Sequence, residues 1–297
     1  MNKHHYVLPL VLLAFCALPL ACVHPMSPVS PAPTATPTPV SPDTPTPTPS
    51  TTPSAWDVVA GSPITLQSGI NYTATYIHLH TGATLVLEPN ASYQFSAEQY
   101  FTMDSGSTIL ALPSSNVTAG SPNLGTSSAG AGHGGAGGSD GLGNAGGAAY
   151  DSSTLPVLRG SPGAAGSCTG GPGGGGVFIY VIGASGAATL NGVIDVDGSA
   201  SNNCSTTPPL SPSGAGSGGT IYIGANSIQG TGSLTAQGGT GLPDTGGANN
   251  AGGGGGGIIS LGAHTANNFT GTYSVQGGAA TAPAQPGQAG SFTFTTN

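Results

Sequence analysis

In three stretches of the C-terminal half of the chain, apolar and polar side chains alternate strictly. "GVIDVDGS" from Gly192 sets Ile194 and Val196 against Asp195 and Asp197. "GSLTAQGG" from Gly232 sets Leu234 and Ala236 against Thr235 and Gln237, and "GTYSVQGG" from Gly271 sets Tyr273 and Val275 against Ser274 and Gln276. Alternation of period two predicts strands with the first group on a buried face and the second in solvent. A second set of runs, "GGVFIYVIGA" (175–184), "GGTIYIGA" (218–225) and "GGIISLGA" (256–263), shares a glycine pair, a β-rich core and a closing Gly-Ala. The closing glycines Gly183, Gly224 and Gly262 lie 41 and 38 residues apart, and the alternating stretches lie 40 and 39 apart, so both patterns keep one period. One hairpin alone buries little, whereas stacked copies share a continuous buried face, so a fixed period of this size predicts stacked units.

Two strand segments per period of about 40 residues give coils of about 20, the size of a β-helical repeat rather than of a four-stranded propeller blade. "GATLVLEP" from Gly82 and "GSTILALP" from Gly106 read as earlier forms of the same rung, and "GSFTFTT" from Gly290 reads as the last. The expected fold is all-β, a single-stranded parallel β-helix (a β-solenoid) over residues 55–297, with a long Gly-rich excursion at about 119–176. The succession "GAGHGGAGG", "GGAAYDSSTLP", "GGPGGGGVFIYV", "LNGVIDVDG", "GSGGTIYIGANSIQGTGSLTAQGG" and "GGGGGGIISL" resembles the glycine-rich repeat region of large bacterial surface proteins of pectin-lyase-like architecture. That resemblance spans about residues 80–297 and rests on repeat pattern. It implies a right-handed coil and a surface-exposed, adhesin-like role, with no common activity.

Glycine and proline occupy different regions. There are 53 Gly and 26 Pro in 297 residues. Proline crowds the stretch 22–54, a semi-extended spacer by its fixed φ and missing donors. Glycine follows. Gly176, Gly219 and Gly257 stand immediately before strands, as corners of a coil would. The excursion has two readings from sequence: a floppy loop, or packed polyglycine-like extended segments, which the lack of a Cβ allows. "VFIYVI" is apolar on both faces and predicts a cover on both, supplied by the excursion including "AAYDSSTLPVL". The G-x-G-x-x-G within "GAGHGGAGG" has no helix after it and does not read as a nucleotide site. Calcium-binding nonapeptide repeats would need an Asp in every glycine turn, and Asp140 stands alone.

The N-terminus reads as a signal peptide over residues 1–21, ending in "LPLAC". That ending resembles a bacterial lipobox, which implies an acylated Cys22, a membrane partner through the lipid, and a place on the outer membrane facing the surface or the periplasm. A plain secreted protein is the alternative. The net charge is −8 and the only basic residues are Lys3 and Arg159, which leaves no means of gripping nucleic acid. Cys168 and Cys204, in an exported chain, predict one disulfide.

Chemistry-bearing residues are few. Asp195 and Asp197, at i and i+2 on one strand face, are the carboxylate pair that would hold a hard cation. The equivalent positions in the next coils are Thr235 and Gln237, then Ser274 and Gln276, so no further carboxylate joins them. His78 and His80 share a strand face without a recognisable third metal ligand. No cofactor is expected. The expected function is that of a non-enzymatic surface lipoprotein, adhesin-like or structural in the envelope, with carbohydrate or surface proteins as partners. A β-helical polysaccharide lyase or glycoside hydrolase is the alternative.

Overall fold

The computed structural model describes residues 55–296 apart from 69, 117–119, 122–126, 167, 205–211 and 246–248. The expected leader, Cys22 and the Pro/Thr spacer lie outside the described residues.

Among the described residues there is no helix, and every strand pairing is parallel. The chain passes back and forth between two sheets. One has six short strands: β2 (Ile64–Leu66), β4 (Thr84–Leu87), β6 (Thr108–Ala111), β9 (Val193–Asp195), β11 (Ser233–Thr235) and β13 (Thr272–Ser274). The other has eight: β1 (Trp56–Val58), β3 (Asn71–Leu79), β5 (Ser92–Met103), β7 (Gly176–Val181), β8 (Ala187–Leu190), β10 (Thr220–Gly230), β12 (Ile258–Phe269) and β14 (Ser291–Thr296).

In-register pairing turns the alternation of the sequence into columns. Leu85, Ile109, Ile194, Leu234 and Tyr273 line up across the six-stranded sheet. Phe95, Ile179, Ile223, Leu261 and Phe294 do so across the eight-stranded one. The two sets face each other, and most members are fully buried. Each such side chain contributes about 1.5–3 kcal/mol by leaving water. Tyr273 and Phe294 end their columns and stay about half exposed, because no further strand covers them.

Beside the sheets lies a bundle of glycine-rich extended segments, and here the hydrogen bonds have a period of three. Within residues 251–257, the amides of Gly252 and Gly255 donate to Ser128 and Ala131, those of Gly253 and Gly256 to Gln285 and Gln288, and those of Gly254 and Gly257 to Gly239 and Ala236, at 2.7–3.1 Å. Their carbonyls accept in turn from three further directions: Ala215 and Gly218, Gly138 and Gly135, and Gly278 and Ser291. Three residues per turn, with every backbone group aimed outward, is the geometry of a polyproline II helix. The segment is thus a central rod with neighbours all around it. Residues 213–219 repeat the scheme against 196–202, 161–164 and 252–255.

This arrangement corrects the expected single-stranded right-handed parallel β-helix. The strands form two separate parallel sheets, in which β5, β7, β10 and β8 close a ring of pairings because β7 and β8 both lie between β5 and β10. The stretches expected to be corners are hairpins of rods: 196–202 out and 213–219 back, 236–241 out and 251–257 back. Gly176 belongs to β7, and Gly219 and Gly257 are the last residues of rods that run on into β10 and β12. The physical reason is the missing Cβ. It lets backbones satisfy one another directly, so glycine runs pack as an ordered layer instead of bending tightly.

Cys168 and Cys204 are joined by a disulfide. Within the excursion, residues 151–159 cross the outer face of the eight-stranded sheet. There Thr220 Oγ1 donates to the Leu158 carbonyl at 2.6 Å and Ser260 Oγ donates to the Thr154 carbonyl at 2.9 Å. Phe178, on the outer face of β7, is covered to 6 % exposure.

A Cβ at Gly254 would lie within 3.0 Å of the Gly216 carbonyl, which already accepts the Gly239 amide. The expected outcome for Gly254→Ala is destabilisation by about 1–3 kcal/mol or more, the range of overpacked interiors. Gly61→Ala, where a Cβ meets nothing within 4 Å, is expected to leave denaturant unfolding unchanged.

Candidate functional site

The outer face of the eight-stranded sheet carries a groove of about 510 Å³, within the usual size of ligand sites, ~300–1,000 Å³. Its position follows from the closing glycines of the repeat. Tyr180, Gly224, Gly262 and Thr295 form one row across four strands. Two successive members lack side chains: the Tyr222 ring lies against Gly224, and Gly262 lines the groove. Tyr222 and Asn226 come from β10, His264 from β12, Ile182 and Gly183 from the turn after β7, and Thr154 and Leu155 from the crossing segment. The rings of Tyr180 and Tyr222 lie 5.4 Å apart at 45°. The groove therefore offers a phenol, an amide, an imidazole and an apolar rim.

The wall supplied by residues 151–159 is held by one carboxylate. Asp151 accepts the amides of Ser152 at 2.8 Å, Val157 at 3.0 Å and Leu158 at 2.8 Å. Burial alone would raise its pKa, but the His133 side chain and these amides outweigh it and hold the carboxyl at about 2. His133 is fully buried; its Nδ1–H donates to the Gly218 carbonyl at 2.8 Å, and its Nε2 faces Asp151 at 3.7 Å.

The second grouping sits at the other end of the same sheet face. Asp57 of β1 pairs in register with His78 of β3. The His80 amide donates to the Val58 carbonyl and the Asp104 amide to the Leu79 carbonyl, which fixes the next row. His80 Nε2 meets Asp57 Oδ1 at 2.9 Å, His78 Nε2 meets Asp104 Oδ1 at 3.0 Å, and the two imidazole centroids lie 3.9 Å apart with the rings tilted at 34°. Tyr76 Oη donates to Asp57 Oδ2 at 2.9 Å. Bonds from His80 and Tyr76 hold the Asp57 carboxyl below its ordinary pKa, and the bond from His78 does the same for Asp104. Two imidazoles among carboxylates form the donor set that suits borderline divalent metals.

Asp195 and Asp197 are engaged otherwise. Asp195 Oδ1 accepts the Asp197 amide at 2.9 Å, and Asp197 Oδ1 accepts the Gln237 amide of the next strand row at 2.6 Å. Burial raises the Asp197 pKa, with the Gln237 amide working against it and the Asp195 charge adding to it. Among the described residues no ion pair links either aspartate to Arg159 or to a histidine. Arg159 ends the crossing segment, where burial lowers its pKa and its Nε makes no hydrogen bond. Sequence reasoning paired His78 with His80 but missed Asp57 and Asp104. The available signal was spacing, since Asp57 lies 21 residues before His78 and Asp104 lies 24 after His80, about the separation of neighbouring parallel strands in each case.

Asp151→Asn is expected to expose the amides of Val157 and Leu158 to hydrogen exchange while the sheets stay protected. A depressed pKa stabilises the folded state above the unfolded value of 3.8 and loses that effect as pH falls through about 2. In the unaltered chain, protection of residues 151–158 should therefore decline between about pH 4 and pH 2. Equal protection at pH 5 and pH 2 would remove Asp151 from this role.

The chain matches no protein-family model, no curated protein and no solved structure, so the groove and the His–Asp grouping stand on their own geometry.

Proposed function

We propose that this is a non-enzymatic surface lipoprotein, anchored through Cys22 in the outer membrane, held off by the Pro/Thr spacer, and adhesin-like or structural in the envelope. Its ligand is an extended neutral carbohydrate, free or displayed on a surface protein, bound in the groove beside Tyr222. The observation that carries this reading is a groove lined by Gly262 and Gly183 with the aromatic Tyr222 and the amide of Asn226 beside them. Tyr222 offers an aromatic ring and a hydroxyl to a sugar, and Asn226 and His264 offer hydrogen bonds to its hydroxyl groups. Lyase or hydrolase chemistry finds less support, because Asp195 and Asp197 already bind backbone amides.

A panel of neutral and acidic oligosaccharides, titrated calorimetrically against the purified chain, tests the reading. A neutral oligosaccharide should bind without turnover, and Tyr222→Ala should weaken it about tenfold, ~1.4 kcal/mol. Binding indifferent to both Tyr222→Ala and Asn226→Ala, or cleavage of any member of the panel, would sink it.

A further inference from the structure

The geometry points to a metal site at the edge of the eight-stranded sheet, in which Asp57, His78 and His80 bind one borderline divalent cation of the Zn²⁺ type. One ligating atom from each of the three lies within 4.8 Å of the other two. A tetrahedral ion with bonds of about 2.0–2.1 Å holds its ligands ~3.3 Å apart. His80 Nε2 stands 2.9 Å and His78 Nδ1 3.9 Å from Asp57 Oδ1, so these separations bracket the required one. The ion would replace the His80–Asp57 hydrogen bond, and small side-chain rotations complete the shell.

Asp104 supplies the second argument. Ligation through His78 Nδ1 leaves Nε2 protonated, and that N–H already points at Asp104 Oδ1 at 3.0 Å. A carboxylate behind a ligating imidazole fixes the tautomer and the ring plane. Tyr76 does similar work for Asp57, since its hydroxyl occupies Oδ2 and leaves Oδ1 for the ion. Backbone bonds from β3 to β1 and from residue 104 to β3 hold all four side chains in place. The site is open to entry: His80 and Asp57 keep 40 % and 43 % of their side-chain surface. Three protein ligands leave a fourth position for water or for an oxygen or nitrogen of a ligand. Two imidazoles suit Zn²⁺, Co²⁺, Ni²⁺ or Cu²⁺ and disfavour Ca²⁺ and Mg²⁺, which take oxygen. The bound ion would clip β1, the first described strand, to the body of the sheet.

The test is metal content and Co²⁺ absorption of the full chain after chelator treatment and reloading with Zn²⁺ or Co²⁺ alone. One ion per chain is expected, with the visible bands of tetrahedral Co²⁺. His78→Gln and His80→Gln should each abolish the site. Asp104→Asn should weaken it about 10- to 100-fold, as loss of an orienting carboxylate does, with an unchanged far-ultraviolet spectrum. If His78→Gln fails to fold, Asp57→Asn at the exposed edge carries the same expectation. Absence of a saturable site in the unaltered chain overturns the proposal. So does stoichiometric binding that survives in the His78→Gln/His80→Gln double variant, which would place the metal elsewhere on the chain.

Discussion

Backbone amides and carbonyls that leave water must find partners within the protein, and in this chain much of that pairing is done by glycine with glycine. Residues 251–257 are buried throughout and meet their neighbours in every direction through peptide groups alone. Such contact requires backbones closer than any Cβ permits. At Gly130, for example, a Cβ would collide with the carbonyl of Gly253, and at Gly238 with that of Gly254. The bundle in turn positions the sheets, since the rods 213–219 and 251–257 run straight into β10 and β12. An error in their packing is passed directly to strand register.

The same residue type has a second use on the outer sheet face. Gly224 and Gly262 are not pressed closely by backbone; the nearest atoms to a Cβ there would be those of the Tyr222 ring at Gly224, from 3.2 Å, and Thr295 Oγ1 at Gly262, at 3.3 Å. Gly224 makes room for the Tyr222 ring, and Gly262 lines the groove. The crossing segment then raises a wall beside it, and Asp151 holds that wall by gathering three amides. Shape on this face comes from small residues at Gly224 and Gly262 and from how one loop is pinned.

Period-two alternation made the inward positions of the strands legible: Ile194, Val196, Leu234 and Ala236 are fully buried. Ser260, between the buried Ile259 and Leu261, points away from the core but is covered by the Thr154 carbonyl. The glycine tracts could not be read in this way. A rod with three residues per turn shows itself through side chains at every third position, and glycine has none to show. The same blank pattern suits a corner, a loose loop or a packed rod, and only the partners decide. Asp57 and Asp104 stayed hidden for a related reason. Their meeting with His78 and His80 depends on the register between neighbouring parallel strands, and the N-terminal strands keep the repeat too weakly for that register to be read from spacing.

Peptide groups carry no titrating proton and no net charge. A layer cohering through them is therefore indifferent to acidity over the whole range in which carboxylates and imidazoles change state, and it is not screened by salt as ion pairs are. Charged residues make up only 4 % of the chain, so little of its cohesion depends on the ionic composition of the medium. For a protein proposed to face the outside of a cell, the glycine bundle amounts to a scaffold insulated from the chemistry of its surroundings.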